Sequence, residues 1–269
     1  MLGVMEDMSQ YREYMAQALE LARKGAGWVD PNPLVGAVVV SGGEVLATGY
    51  HDRYRGPHAE RMAFDYADAN GIDLTGATVI DTLEPCCHVG SQPACTDLIL
   101  AHGIARVVVG SVDPNPIVAG KGLRILEEAG VEVVRDVMRE ECDAINRHFF
   151  YYITTGKPYI VDGRRRVGES ASEYAARRRE LYATYAAVLA GTESDVPDES
   201  FAHFNGPVQA VGADEVVIGG HRPLLLEAGA LACTDPDEWL SELGKRKIDS
   251  LIVESDEAFE RLSMACQKD

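Results

Sequence analysis

Basic residues are in short supply: 25 lysines and arginines face 43 aspartates and glutamates, a formal net charge of −18. Both halves share the deficit, with 12 basic against 22 acidic residues in 1–155 and 13 against 21 in 156–269. Such a surface repels a phosphate backbone, which argues against broad binding of DNA or RNA. The plain account of the acidity is solubility, or a salt-adapted or GC-rich source. Lysine is the rarer base, six against nineteen arginines. No apolar run reaches the roughly 18 residues a bilayer span requires, so no membrane segment is expected. The opening stretch MLGVMEDMSQYREY lacks a basic region followed by an apolar core. A secretory leader is therefore not expected, and the cytoplasm is the expected compartment. Cysteine is confined to positions 86, 87, 95, 142, 233 and 266. In a cytosolic chain, clustered cysteines serve metals or catalysis more often than disulfides. The last three are isolated and read as single buried thiols. Internal repeats and low-complexity tracts are also missing.

What is present is globular: 46% apolar and 25% charged residues, in a length that suits one large domain or two ordinary ones. Residues 9–24 place Tyr11, Met15, Leu19 and Ala22 at helical spacing, with Ser9 as the expected cap and Gly25 as the stop. PNPLVGAVVV, SGG and EVLATGY predict a strand, a turn and a returning strand. HAERMAFDYADA predicts a helix with His58 and Glu60 in or near its first turn. A strand, ATVIDTL, leads into a cysteine loop. Short helices and strands then alternate up to a closing helix, MREECDAINRHFFYYITT. This order predicts a sheet with helices on both faces, closing near residue 155, where TGKP reads as a linker. In the second half, SASEYAARRRELYATYAAVLAG reads as a helix and TESDVPDES as an acidic loop. VQAVGADEVVIGG offers two short strands, DEWLSELGKRK a helix and IDSLIVES a strand. The basic runs RRR at 177–179 and KRK at 245–247 read as solvated helix faces.

The chemistry gathers in HAE, residues 58–60, and EPCCHVGSQPAC, residues 84–95. A catalytic zinc takes three protein ligands, typically cysteine thiolates and histidine nitrogens, and keeps a fourth position for water. A carboxylate that is not a ligand must stand beside that water to move protons. Positions two apart on a helix diverge by about 200°, so His58 and Glu60 cannot share one stripe. One can bind the metal while the other approaches from the side. Cys86 follows a proline at a strand end and Cys95 opens a helix, where the dipole favours a thiolate. Cys87 should point away from Cys86, because side chains alternate along extended chain. The histidine-x-glutamate followed by proline–cysteine favours Cys86 as the ligand of that pair. The competing readings are a closed Cys3His zinc knot, which gives Glu60 no task, and a disulfide.

These residues resemble the zinc-dependent cytidine deaminase superfamily. Within it, PNPLVGAVVV, GYH, HAE, TLEPCCHVGSQPAC and DPNPIVAGKG are similar, over residues 11–150, to the deaminase domain of the bifunctional deaminase–reductase of riboflavin biosynthesis. Eight residues separate Cys86 from Cys95, as in that branch; most of the superfamily has two. The resemblance implies an α/β fold, a cytidine-deaminase-like three-layer α-β-α sandwich over 1–155, with a second, smaller α/β domain over 156–269. It implies one zinc per chain on His58, Cys86 and Cys95, lowering the pKa of bound water toward about 7. It makes Glu60 the general acid/base. The reaction implied is hydrolytic removal of ammonia from a phosphoribosylated diaminopyrimidinone. Asn32, His51 and His88 would meet the pyrimidine, and Asp113 and Asn115 the ribose. Each also has a local reading: the asparagines as turn formers before proline, the histidines as ordinary core or surface residues. A homo-oligomer is expected.

Two departures stand out. The family has lysine or arginine where this chain has Ser91, a loss of charge facing the substrate phosphate; Arg55 and Lys121 are the candidate replacements. The reductase half is also reduced. Only KPYIVDGRRRVGES stands for its opening segment, and Ser255 and Asp256 replace glycines that would let a dinucleotide approach. NADPH binding and reduction are therefore not expected, and a separate reductase is the expected partner. The rival readings are a repurposed deaminase of another aminated pyrimidine or purine, and a non-catalytic zinc scaffold.

Overall fold

The computed structural model describes residues 2–88, 92–116, 118–189, 209–211, 215–217, 224–226 and 235–266, with the backbone alone for 2–7, the three short strands between 209 and 226, and 266. Ser91 and Cys233 lie outside the described residues. The chain forms two compact units, residues 1–25 with 33–150, and residues 26–32 with 151–269.

In the first unit, helix α1 (Leu2–Arg23) precedes a hairpin of β1 (Gly36–Ser41) and β2 (Glu44–Tyr50). There follow α2 (Ala59–Ala69), β3 (Thr78–Leu83), α3 (Cys95–Ala101), β4 (Arg106–Ser111), α4 (Lys121–Glu128), β5 (Glu132–Val134) and α5 (Arg139–Ile145). Helix α6 (Arg147–Thr155) comes next, and the division between the units falls within it, after Phe150. The five strands lie in the order β2-β1-β3-β4-β5. The β1 pairings are antiparallel, while β3–β4 and β4–β5 are parallel. One face packs Phe64 of α2, Ile99 of α3 and Leu123 of α4 on Val39, Val79 and Val107. The other packs Tyr11, Met15 and Leu19 of α1 and Cys142 of α5 on Val38, Ile80 and Val108. Helices on both faces explain why β1 and β3 are nearly continuous buried runs. This is the three-layer sandwich expected from the sequence.

Three local expectations are corrected. Helix α1 starts at Leu2, so Ser9 lies inside it instead of capping it; the preceding residues continue the helix. The closing helix is two helices, because Asn146 interrupts it to serve the β1 entry. Its Oδ1 accepts the Leu34 N–H at 2.8 Å and its Nδ2 donates to the Leu34 carbonyl at 2.9 Å. Asn146 is 0% exposed, so Asn146→Ala strands two buried backbone groups. We expect a stability loss of about 2–4 kcal/mol, read from urea unfolding midpoints. A loss below about 1 kcal/mol would mean that water takes over both bonds.

The third correction lies in the second unit. The long helix read from SASEY onward ends at Thr184, and Ala187–Leu189 is strand β7. The unit has β6 (Tyr159–Asp162), α7 (Ala171–Thr184), β7, then β8 (Gln209–Val211), β9 (Glu215–Val217) and β10 (Leu224–Leu226). Helix α8 (Pro236–Lys245), β11 (Ser250–Val253) and α9 (Asp256–Cys266) complete it. A four-stranded sheet runs in the order β10-β7-β11-β6 with all pairings parallel. Leu240 and Leu243 of α8 and Leu262 of α9 cover one face, and Tyr182 of α7 covers the other. Ser170 and Glu173 form a reciprocal cap at the start of α7. Among the described residues no helix is long and apolar enough to cross a membrane.

Candidate active site

The site is built where β3 ends and α2 and α3 begin. His58 is the N-cap of α2, and Glu60 sits in that helix's first turn. Gly49 on β2 fixes the seat of this turn: a Cβ there would stand 2.1 Å from the Ala59 carbonyl oxygen. Only glycine lets the helix start approach the strand so closely. Pro85 and Cys86 follow β3, and Cys95 is the first residue of α3.

His58 Nδ1 lies 3.5 Å from Cys86 Sγ and 3.3 Å from Cys95 Sγ, and the three donor atoms all fall within 4.8 Å of one another. A zinc with Zn–S near 2.3 Å and Zn–N near 2.0–2.1 Å in tetrahedral angles requires N–S separations of roughly 3.5 Å. The donor set therefore fits zinc in both chemistry and spacing. It numbers three, the count of a site that takes water or substrate as its fourth ligand. Cys87 is half-buried and stands outside this group; burial raises its thiol above the ordinary value.

The electrostatics prepare a thiolate. The Cys86 thiol is pulled down to about 4, first by the hydrogen bond from the Cys95 thiol and then by His58, against the cost of burial. Its sulfur also accepts the Cys95 backbone N–H at 3.3 Å. The Cys95 thiol, the donor in that pair, is held well above its ordinary value. His58 is raised, chiefly by its bond to Cys86. Glu60 is 3% exposed, and burial is the main force raising its carboxyl. The backbone N–H of Glu60 bonds that carboxyl, and the charge of His58 opposes the rise.

His51 is buried, with Nδ1 2.8 Å from the Pro57 carbonyl oxygen and its ring edge-on to His58 at 5.7 Å. Burial lowers its pKa, so the neutral ring donates through Nδ1 to that carbonyl, and Nε2 is the acceptor nitrogen. His88 is exposed after Cys87, within electrostatic reach of Asp113. Asp113 is buried and raised to about 6, mainly by that burial, and its Oδ1 accepts the Asn115 N–H at 2.8 Å. Lys121 is exposed at the start of α4, with Nζ bonding the Pro116 carbonyl at 3.2 Å. Arg55 is exposed in the left-handed region at φ 58°, its guanidinium 5.3 Å from the Tyr54 ring centre. Asn32 belongs to the segment grouped with the second unit, its N–H bonding the Val29 carbonyl at 2.8 Å.

Three residues escaped the sequence reading. Glu84 is buried, and its oxygens accept N–H groups of Gly120 at 2.8 Å, Gly122 at 3.0 Å and Asp113 at 3.3 Å. It thereby ties the Asp113–Asn115 loop and the start of α4 to the strand that delivers Cys86. A Cβ on Gly122 would meet the Pro85 carbonyl oxygen at 2.3 Å, so this junction is tight. Gln92 Nε2 donates to the Gly56 carbonyl at 2.6 Å, joining the cysteine loop to the loop before His58. Asp81 is fully buried on β3. Its signal was a carboxylate inside the apolar run TVIDTL.

Residues 8–111 match the cytidine and deoxycytidylate deaminase zinc-binding region. The chain is 36% identical to the riboflavin biosynthesis protein RibD of Actinobacillus pleuropneumoniae over 90% of this chain and 77% of that protein. With RibD of Aquifex aeolicus it shares 49% identity over 56% of this chain, spanning 41% of that relative's length. The crystal structure of a Thermotoga maritima diaminohydroxyphosphoribosylaminopyrimidine deaminase/5-amino-6-(5-phosphoribosylamino)uracil reductase matches at TM-score 0.78 and 31% identity, over 96% of this chain and 84% of that one. With three zinc-type donors in the matched region and this agreement along most of both chains, the protein belongs to the RibD family of riboflavin biosynthesis proteins.

Proposed function

We propose that the first unit catalyses zinc-dependent hydrolytic deamination of diaminohydroxyphosphoribosylaminopyrimidine, giving 5-amino-6-(5-phosphoribosylamino)uracil and ammonia. The observation that carries this is the buried Glu60 carboxyl beside a His58–Cys86–Cys95 donor set at zinc spacing. Bound zinc would supply Lewis-acid activation of water. Glu60 takes the water proton and returns it to the ring nitrogen and the departing amine, the two tasks of one general acid/base. The carbon–nitrogen bond to the amino group breaks, a carbon–oxygen bond replaces it, and ammonia leaves. His51, held by the Pro57 carbonyl, offers the pyrimidine edge a fixed neutral nitrogen. His88 completes the reading of the base, and Asp113 and Asn115 meet the ribose. Arg55 and Lys121 take the phosphate.

The second unit does not fit NADPH in its described part. Parallel sheets bind nucleotides at the carboxyl ends of their strands. At the two strand ends that the described residues include, Asp162 closes β6 and Glu254 and Asp256 follow β11. Arg164 is spent on Asp162 and Asp256, at 2.9 and 3.1 Å. Arg178 is spent on buried Glu254 at 2.8 Å, which Tyr182 also bonds. Carboxylates repel a diphosphate, and these cations are already neutralised. The reduction then falls to a separate protein, and this unit serves assembly or stability.

One assay tests both halves. The purified protein is given the phosphorylated diaminopyrimidinone, its dephosphorylated form, and then the deaminated product with NADPH. Ammonia should appear with the phosphorylated compound, and NADPH should not be consumed. Preference for the dephosphorylated compound would favour the repurposed deaminase to which Ser91 points. NADPH oxidation would overturn the account of the second unit.

A further inference from the structure

Glu84 has no task in the mechanism above, yet its side chain is buried and in full use. Each carboxylate oxygen accepts two backbone N–H groups. One takes Gly120 at 2.8 Å and Asp113 at 3.3 Å, the other Gly122 at 3.0 Å and Leu123 at 3.4 Å. All four donors belong to one stretch that leaves the end of β4 and opens α4, and that stretch also carries Asn115 and Lys121. Local bonds stitch it together: Asp113 Oδ1 accepts the Asn115 N–H, the Asn115 carbonyl the Val118 N–H, and the Val118 carbonyl the Lys121 N–H, each at 2.8 Å. Moving the anchor therefore moves Asp113, Asn115 and Lys121 together. The N-cap of α4 is Gly120, which has no side chain to satisfy the first N–H groups of the helix. Glu84, 36 positions away, satisfies them instead.

On its other side Glu84 is joined to Cys86 through Pro85 alone. Proline fixes its own φ near about −65° and holds the residue before it extended, so the link is stiff. Cys86 is held in turn by α3: its carbonyl accepts the Thr96 N–H at 3.1 Å and its sulfur the Cys95 N–H at 3.3 Å. A Cβ on Gly122 would stand 2.3 Å from the Pro85 carbonyl oxygen and 3.2 Å from Glu84 Oε1, so α4 is pressed directly onto this link.

We propose that Glu84–Pro85–Cys86 is a strut, and that Glu84 is the positioning residue through which it sets the separation between the zinc-site thiolate and the segment that holds the sugar phosphate. A substrate gripped at both ends reaches a reactive geometry only if the two grips stand the right distance apart. With the seat intact, the segment is ordered before substrate arrives, and binding does not have to order it. The inference rests on the reading of Asp113, Asn115 and Lys121 as ribose and phosphate contacts.

The test compares Glu84→Gln and Gly122→Ala in the full-length, zinc-loaded protein. Glutamine keeps one acceptor oxygen and turns an amide donor toward the other pair of N–H groups. Alanine leaves Glu84 in place but forces α4 off Pro85, while favouring the helix by propensity. Both variants should raise KM for the phosphoribosylated diaminopyrimidinone roughly ten- to hundredfold, with zinc content unchanged and kcat within about threefold of wild type. At saturation the bound substrate itself orders the segment, which is why the loss falls on KM. Amide hydrogen exchange followed by NMR should quicken at Asp113, Gly120, Gly122 and Leu123 in Glu84→Gln and stay unchanged in the first turn of α2. Wild-type KM in both variants, or zinc lost with KM unchanged, would overturn the proposal, the latter by making Glu84 a prop for Cys86 alone. Should Gly122→Ala not fold, Glu84→Gln decides by the same readings. Should the wild type with full zinc release no ammonia, the deaminase reading fails, while unchanged exchange at those four amides would still overturn the seat and faster exchange would uphold it.

Discussion

Glu60→Gln is expected to lower ammonia release roughly 10²- to 10⁴-fold while zinc stays at about one per chain. Glutamine keeps the volume and shape of the side chain but cannot carry a proton between water and the departing amine. The fold should tolerate the exchange. Glu60 is 3% exposed in the first turn of α2, and burial is what raises its carboxyl. Replacing a buried ionisable group with a neutral isostere removes a desolvation cost instead of adding one. Metal analysis alongside the rate assay separates two causes of failure. Zinc retained with the rate lost locates the defect in proton transfer. Zinc retained with wild-type rate would exclude Glu60 as the acid/base, and with it the enzyme reading of HAE.

The parts of the fold and site that were legible in the sequence are those where physics permits few residue types. Zinc favours imidazole and thiolate donors, which are few in this chain, so His58, Cys86 and Cys95 announce themselves, and the structure brings them together. The β1–β2 hairpin was legible because Gly42 and Gly43 both take positive φ in its turn. Where long-range partners decide, the sequence was mute. Asn146 looks like one more helical residue until Leu34, 112 positions away, claims both ends of its amide. Ala187–Leu189 extends a helical pattern by composition, but its pairing with β10 and β11 makes it a strand. Residues 159–162 were hidden similarly, because a four-residue strand carries little periodicity of its own.

Cys86→Ser should reduce bound zinc from about one per chain to a small fraction and abolish deamination, whereas Cys87→Ser should leave both intact. The two neighbours differ in environment, not in composition. Cys86 lies 3.5 Å from His58 and is pulled down to about 4, so it offers a thiolate at neutral pH. Cys87 stands outside the donor group, and burial raises its thiol. A serine hydroxyl keeps the shape of position 86 but stays protonated at neutral pH, and zinc takes deprotonated ligands. Cys86 also accepts the N–H that opens α3, at 3.3 Å, and serine can still accept there, so the start of that helix should survive. Zinc lost with circular dichroism unchanged is thus the expected signature of a ligand, as opposed to a structural prop. The paired variants also decide between an open and a closed centre. In a Cys3His knot, Cys87→Ser would strip the metal as effectively as Cys86→Ser. In an open site it does nothing, because three donors hold the metal and the fourth position is left to solvent.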